Sequence, residues 1–301
     1  MSVPGKGPRP GPLGLSGDQV TVAALLALEF APPLPQEIPA LALARRPGVT
    51  ATRAAGQGHV IRELRPFAEG DDPRFLDAAA SARAGAPQVR GFHEDREGNL
   101  LLIADFRRPM LWGSQARFRS VAAAEILMRL GWQAMSGGGA VGLVTLSDQG
   151  LEVTRPRARH SGMSRIAAHL ARVHASALAA TAAGAVTPDL DQQLASALRH
   201  APSGAMVALA SGLDQPGPRL TAVLAALSQR GPAALLLIED PLERAAPAEA
   251  LPTRRPGRTE AELLSLQSLP ESRSRRASDL HLPGLKVARI AADNLTAGAA
   301  A

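Results

Sequence analysis

The sequence predicts an α/β fold: a doubly wound, mostly parallel sheet preceded by a small, partly β N-terminal module. Short apolar runs alternate with helix-length amphipathic segments, which is the pattern of parallel strands joined by helices. The clearest run spans 99–106 and leads, through a polar turn, into an Ala-rich amphipathic segment at 114–135. Because open α/β sheets bind ligands at the carboxyl ends of their strands, Asp105 marks the edge where a functional site is expected.

The remaining elements are predicted from the same patterns, in chain order. Residues 1–16 are rich in Pro and Gly and are predicted to be disordered, whereas 18–30 has the apolar density of a short helix. A strand is predicted at 88–92. Beyond the helix at 114–135, strands are predicted at 140–147, 151–155, 205–210, 233–239 and 285–290, and helices at 163–183, 189–200, 218–230 and 259–267.

These elements divide the chain into four regions. Basic clusters follow Pro252, and only a short helix and one strand can be placed beyond it, so that part is predicted to be a tail. The four regions are a disordered N-terminus (1–16), an N-terminal helix and small module (17–98), an α/β domain (99–250) and a basic C-terminal tail (251–301).

Composition narrows the classes of protein. The 301 residues include no cysteine, which excludes disulfides, thiolate metal sites and cysteine nucleophiles. The apolar runs are shorter than the roughly 18 residues of a membrane helix, so we expect a non-secreted, cytoplasmic protein. The formal net charge is +6, but acidic residues are interleaved with the arginines and only 3% of residues are aromatic, which argues against nucleic-acid binding. The glycine run at 137–142 precedes a strand instead of a helix, so no nucleotide cofactor is predicted.

A second candidate site lies within 65–77, where carboxylates and arginines are concentrated. Gly70 permits a tight turn, Asp72 suits an N-cap, and Pro73 suits the first position of a helix. Two interpretations stay open, a structural ion-pair network around a helix cap or a metal-dependent hydrolase site. The acids of the second interpretation are Glu69, Asp71, Asp72 and Asp77.

Several motifs in series resemble the bacterial domain-of-unknown-function 58 family, over about 48–247. They are Arg65-Pro66-Phe67-Ala68-Glu69-Gly70-Asp71-Asp72-Pro73-Arg74, Ser81-Ala82-Arg83, the strand ending in Asp105, Gly113-Ser114, and Asp240-Pro241-Leu242-Glu243. The resemblance implies a von Willebrand factor A-like fold in the second half and a gene beside that of a MoxR-type AAA+ ATPase. It also implies structural roles for Arg65, Gly70, Asp71, Asp72, Arg74, Arg83, Asp240 and Glu243.

The metal-binding loop of von Willebrand A domains is altered here. That loop reads Asp-x-Ser-x-Ser and holds Mg²⁺ through hard oxygen ligands. This chain keeps Asp105 but has Arg107 and Pro109 at the two serine positions, and Ser211-Gly212 stands where the family has Ser-Asp. Asp214, two residues further on, replaces the missing carboxylate only if the loop differs.

We therefore predict a degenerate metal site formed by Asp105, Arg107, Pro109, Ser211 and Gly212. We expect Arg107 to occupy the electrostatic position of the metal by pairing with Asp105, since a carboxylate at the strand end would otherwise be uncompensated. In the alternative arrangement, Arg107 points to solvent and Asp105 caps the next turn.

The leading functional hypothesis is a non-enzymatic protein-interaction or scaffold module without catalytic residues or cofactors. By resemblance, its partners are a MoxR-type AAA+ ATPase and other von Willebrand A-like proteins, and its role is in the assembly or quality control of other proteins. The predicted contact residues are Asp105, Arg107, Arg108, Met110, Trp112 and Asp214. The alternatives are a metal-dependent hydrolase using the acids of 65–77 and nucleic-acid binding through the Arg-rich tail.

Overall fold

The structure is a computed structural model that describes residues 17–32, 61–68, 76–92, 99–181, 186–202, 204–253 and 262–293. The contacts of the chain divide it into a smaller unit, 46–97, and a larger unit that combines 1–45 with 98–301. Residues 17–32 belong to the larger unit because Val20, Leu25 and Leu28 are buried in its core. The predicted module 17–98 therefore corresponds to parts of two units.

In the smaller unit, β1 (Ile61–Pro66) pairs antiparallel with β2 (Gln88–Phe92), which confirms the strand predicted at 88–92. Helix α2 (Ala78–Ala84) begins at Asp77, whose side chain accepts a hydrogen bond from the Ala80 N–H at 2.9 Å. It ends at Gly85, which adopts a left-handed conformation with φ 66°. The helix start predicted at Asp72 lies outside the described residues.

The larger unit is built on a six-stranded sheet that confirms the predicted α/β class. Its strand order is β10-β7-β6-β3-β4-β5, and all neighbours are parallel except the β4–β5 hairpin. The strands are β3 (Leu100–Asp105), β4 (Val141–Ser147), β5 (Gly150–Arg157), β6 (Met206–Ser211), β7 (Ala233–Glu239) and β10 (Leu285–Ala291).

Helices cover both faces of this sheet. The even-numbered residues of β3, such as Leu102, pack with α1 (Val22–Ala27), α3 (Arg119–Ser136) and α4 (His160–Ala180). The odd-numbered residues Leu101 and Ile103 pack on the other face with α5 (Leu190–Ala197) and α6 (Leu220–Arg230). This alternation explains why β3 is apolar from Leu100 to Ala104, as central strands buried on both faces are.

Helix α3 is buried on all sides. Every residue from 119 to 132 is buried, including the charged Glu125 and Arg129. Residues 17–32 cover part of this helix, since Arg129 donates to the Pro32 carbonyl and Trp132 Nε1 donates to the Leu25 carbonyl at 3.4 Å. Gly131 permits the close approach of α4, because a Cβ there would lie 2.6 Å from Met163 Cε.

The described residues after 250 add further elements to the larger unit, including the strand predicted at 285–290. Strand β10, predicted at 285–290, forms one edge of the main sheet, pairing in parallel with β7. Helix α7 (Pro241–Arg244) is followed by the short pair β8 (Leu251–Thr253) and β9 (Glu262–Leu264) and by α8 (Leu269–Ser278). The helix predicted at 259–267 is wrong where described, because 262–264 is a strand and Pro270, in the first turn of α8, favours a helix start at 269. No helix of the described residues is long and apolar enough to cross a membrane.

Candidate functional site

Two opposite charges are buried where β3 ends. The side chains of Asp105 and Arg107 have no exposed surface. Arg107 Nε lies 2.9 Å from Asp105 Oδ1, and Nη2 lies 2.8 Å from Oδ2, so the guanidinium binds the carboxylate through two parallel hydrogen bonds. This bidentate contact compensates both charges in a site that water does not reach.

Main-chain carbonyls satisfy the rest of the guanidinium. Arg107 donates to the carbonyl oxygens of Pro188 at 3.0 Å, Asp214 at 3.0 Å and Gln215 at 3.4 Å. The alternative in which Arg107 points to solvent is therefore wrong. The cation joins three segments, namely the turn after β3, the segment before α5 and the loop after β6.

The residues around Asp105 do not fit a divalent cation. Asp105 also accepts hydrogen bonds from the Arg107 N–H at 3.1 Å and from the Ser211 hydroxyl at 2.7 Å, so both of its oxygens are engaged. Pro109 and Gly212 offer no side-chain oxygen. A divalent ion would have to displace the guanidinium from Asp105, because both cations need the same carboxylate.

A second set of buried charges lies beside this pair, and we call it the double-arginine cluster. Its members are Arg119, Asp214, Glu243 and Arg273, and each arginine contacts both acids. Arg119 Nη1 lies 2.9 Å from Glu243 Oε1, and Arg273 Nη2 lies 2.5 Å from both Asp214 Oδ1 and Glu243 Oε1. Arg119 Nη2 is 2.8 Å from Asp214 Oδ2, an ion pair whose atoms are not aligned for a hydrogen bond.

The double-arginine cluster is neutral in sum and is largely desolvated. Burial raises the pKa of the Glu243 carboxyl, and the positive charges of Arg119 and Arg273 oppose that shift. The Trp112 ring lies 4.8 Å from the Arg119 guanidinium and covers it from one side. The cluster therefore connects the start of α3 with the β6 loop, α7 and α8.

Asp240 and Ser114, from two of the sequence motifs, meet at the same edge. Asp240 caps α7 by accepting from the Leu242 N–H at 2.9 Å, while its own N–H donates to Glu243 Oε2 at 2.9 Å. The Ser114 N–H donates to Asp240 Oδ2 at 2.8 Å, and the Ser114 hydroxyl donates to Oδ1. Gly113 is needed before it, since a Cβ there would lie 2.1 Å from the Arg117 carbonyl oxygen.

The predicted contact residues separate into two groups by exposure. Asp105, Arg107 and Met110 are fully buried, so in this conformation they lie beneath the surface that a partner would touch. Their burial follows from packing, since Met110 Sδ accepts from the Gly212 N–H at 3.1 Å and the other two form the ion pair. Arg108 is exposed, and Trp112 and Asp214 are half-buried, which leaves these three at the surface.

The acidic candidates of 65–77 are only partly described. Glu69, Gly70, Asp71, Asp72 and Arg74 lie outside the described residues, as does the side chain of Arg65. Two others serve helix α2: Asp77 caps it, and Arg83 Nε donates to the Ala79 carbonyl at 3.2 Å on its exposed surface. Within the described ranges, no three His, Asp or Glu side chains come together in a way that could hold a metal ion.

The structure contains a buried serine–histidine pair that no sequence pattern predicted. Ser120 Oγ lies 2.9 Å from His174 Nε2, and burial lowers the pKa of His174 to about 4, against the opposing charge of Asp18. Ser120 has no exposed surface, so no substrate reaches its hydroxyl. The pair therefore joins α3 to α4 and does not act as a nucleophile with its base.

Arg119 and Arg273 were also missed as members of the site. Arg119 lies 124 residues before Glu243, and Arg273 lies 59 residues after Asp214. No local spacing signals partners so far apart.

Comparison with known proteins places the chain in a family. No curated protein matches the chain. The family model described as "Protein of unknown function DUF58" matches residues 63–269, which is well over half of the chain. The matched range contains Asp105, Arg107, Asp214, Asp240 and Glu243, whereas Arg273 lies just beyond it. The chain therefore belongs to the DUF58 family.

Proposed function

We propose that the chain is a non-enzymatic protein-interaction module in which Arg107 takes the place of the metal ion of a von Willebrand A-like adhesion loop. The observation that carries the proposal is the buried bidentate contact between Arg107 and Asp105. A strand-end carboxylate compensated by a fixed guanidinium has no coordination position to offer a substrate or a water. The site is therefore suited to holding loops in place and not to chemistry.

The guanidinium supports a preformed contact face. It binds carbonyls from two further segments, and a covalently attached cation cannot dissociate as a metal ion does. Loops that are fixed before binding lose less conformational entropy when a partner docks. We expect binding at this face to be independent of divalent cations.

The part of this face that reaches the surface consists of the exposed Arg108 and the half-buried Trp112 and Asp214. An aromatic side chain beside charged groups is typical of residues that dominate binding energy at interfaces. The partner that the family resemblance suggests is a MoxR-type AAA+ ATPase, together with other von Willebrand A-like proteins, in the cytoplasm. The shared task would be the assembly or quality control of other proteins.

The test is capture of a MoxR-type AAA+ ATPase, the partner that the resemblance implies, by the purified full-length chain. We expect equal capture in Mg²⁺ and in EDTA, and loss of capture in the Arg108→Glu/Trp112→Ala variant. Lys286→Glu, an exposed change on β10 at the sheet edge, is the matched control. Two results would contradict the proposal. One is capture that requires Mg²⁺ when no nucleotide is present, and the other is capture that persists in the double variant.

A further inference from the structure

Strand β5 forms an open edge of the main sheet. It pairs only with β4, and among the described residues none outside β4 makes a backbone hydrogen bond to 151–157. In an antiparallel strand, every second residue points its N–H and C=O away from the partner strand. Such an edge is a template for pairing with another extended chain.

Positive charge surrounds this edge. Arg155, Arg157 and Arg159 are exposed along and just after β5, and Arg199 is exposed at the end of the segment that follows α5. None of these four arginines forms an ion pair with a described residue.

The only acid on the strand is already paired. Glu152 is bound by Arg172, whose Nη1 lies 3.2 Å from Oε1, and this contact holds the pKa of the Glu152 carboxyl below its usual range. The β5 edge therefore presents unpaired cations beside unpaired backbone groups.

A groove with an apolar floor runs beside these cations. Its volume is about 550 Å³, and its lining residues are Leu101, Val153, Thr154, Arg155, Pro156 and His200. Arg157 pairs with Val141 at the start of β4, so the groove lies at the opposite end of the sheet from Asp105. It is thus separate from the face described above.

We propose that the β5 edge binds an acidic, extended segment of a partner protein, which adds to the sheet as a seventh strand. The proposal rests on the proposed function and gives the interaction module a second contact surface. The unpaired backbone groups of β5 would bond to the segment, its carboxylates would face the arginines, and alternate apolar side chains would cover Val153.

Pro156 limits where the added strand pairs. It has no N–H to donate, and it packs over Gly142, where a Cβ would lie 2.9 Å from Pro156 Cγ. The pairing register shifts at the same place, between Val141 and Leu143 of β4. The added strand therefore pairs with the part of β5 that precedes Pro156.

A protein segment fits these features better than a nucleic acid does. The groove is lined by no Phe, Tyr or Trp side chain, and His200 supplies its single ring. A nucleic acid would use the cations but would leave both the apolar floor and the backbone edge without partners. Charge, apolar surface and backbone groups are matched together only by an acidic strand-forming peptide.

The test uses the full-length chain and a fluorescein-labelled peptide of alternating Glu and Val, with binding followed by fluorescence anisotropy. We expect saturable binding that weakens by about tenfold in the Arg155→Glu/Arg157→Glu variant. The same peptide N-methylated at alternate residues keeps its charge but cannot pair as a strand, and we expect it to lose binding by a similar factor. Lys286→Glu, at the other sheet edge, is the matched control and should change nothing.

Three results would overturn the proposal. The first is equal binding of the N-methylated peptide, which would make the contact purely electrostatic. The second is displacement of the peptide by a short single-stranded DNA of equal charge. The third is that Trp112→Ala abolishes peptide binding while Arg155→Glu/Arg157→Glu leaves it unchanged. That result would reject binding at the β5 edge but would leave the proposed function standing.

Discussion

Two sets of buried charges lie at the carboxyl edge of the sheet, and they are built in different ways. The Asp105–Arg107 pair joins one acid to one base two residues apart in the chain. The double-arginine cluster joins two acids and two bases that come from distant segments. In the pair each charge has a single charged partner, whereas each charge of the cluster has two. We therefore expect the pair to fail completely when one member is removed and the cluster to fail only in part.

The largest effect is expected from Arg107→Ala. It leaves the Asp105 carboxylate buried without a counter-charge and unbinds the Pro188 and Asp214 carbonyls, which should cost about 3–5 kcal/mol of the free energy of unfolding. Urea denaturation at neutral pH measures it. The double variant Asp105→Ala/Arg107→Met is the control and should recover most of the loss, because no charge is then left buried. A loss below that of the cluster variants described next would break the comparison.

The cluster should tolerate the loss of one arginine better. Arg273→Met leaves Arg119 in contact with both Asp214 and Glu243, so we expect a loss of about 2 kcal/mol. The same denaturation experiment measures it. Combining Arg273→Met with Arg119→Met removes the remaining cation, and the loss should exceed the sum of the two single losses. Additive losses would show that the two arginines act independently.

His174 is a third kind of buried group, one that stays neutral, and it makes the stability of the fold depend on pH. His174 has no acid in bidentate contact, and its pKa falls from 6.5 to about 4 because of burial. Below pH 6.5 the His174 imidazole binds a proton in the unfolded chain but stays neutral in the folded chain. The free energy of unfolding therefore decreases as the pH falls from 6.5 toward 4. The full loss is about 3 kcal/mol.

The measurement is the free energy of unfolding of wild type and His174→Gln between pH 7 and 4. The difference between the two should shrink steadily as the pH falls through this window. Parallel curves would show that His174 does not carry this pH dependence.

The smallest effect on stability is expected from Arg108→Glu. Its side chain is exposed, and its hydrogen bonds are made by the backbone: the N–H donates to Asp148 Oδ1 at 3.1 Å and the carbonyl accepts from the Leu111 N–H at 3.0 Å. The free energy of unfolding should change by no more than about 0.5 kcal/mol, while capture of the partner ATPase should weaken. Thermal denaturation and capture, measured on the same preparation, check both parts. A stability loss comparable to that of Arg107→Ala would place Arg108 in the buried network instead of on the contact face.

The sequence predicts the central strands well because they are buried on both faces. Runs such as 100–104 and 233–238 are apolar throughout, and no other element type fits so short an apolar run between helix-length segments. The pairing of Arg107 with Asp105 could be predicted from the sequence for a similar local reason. Two opposite charges that lie two residues apart at a strand end are close enough to pair when both are buried.

The sequence does not predict features that depend on distant partners. The helix predicted from residue 114 begins at Arg119, because Ser114 is held by Asp240, 126 residues away. The segment after 250 is predicted as a tail because basic clusters follow Pro252 and few elements can be placed there, yet Arg273 is buried against Asp214 and Glu243. The burial of Met110 could not be predicted either, because a methionine that follows a polar turn can be exposed or packed in the core.

The most direct test of the central claim, that Arg107 replaces a metal ion, is calorimetric titration of Mn²⁺ and Mg²⁺ into the full-length chain. We predict that neither the wild-type chain nor the Asp105→Ala variant binds an ion with a stoichiometry of one per chain. Binding of one ion per chain that disappears in Asp105→Ala would contradict the account, because the ion would then share the carboxylate that Arg107 is proposed to hold.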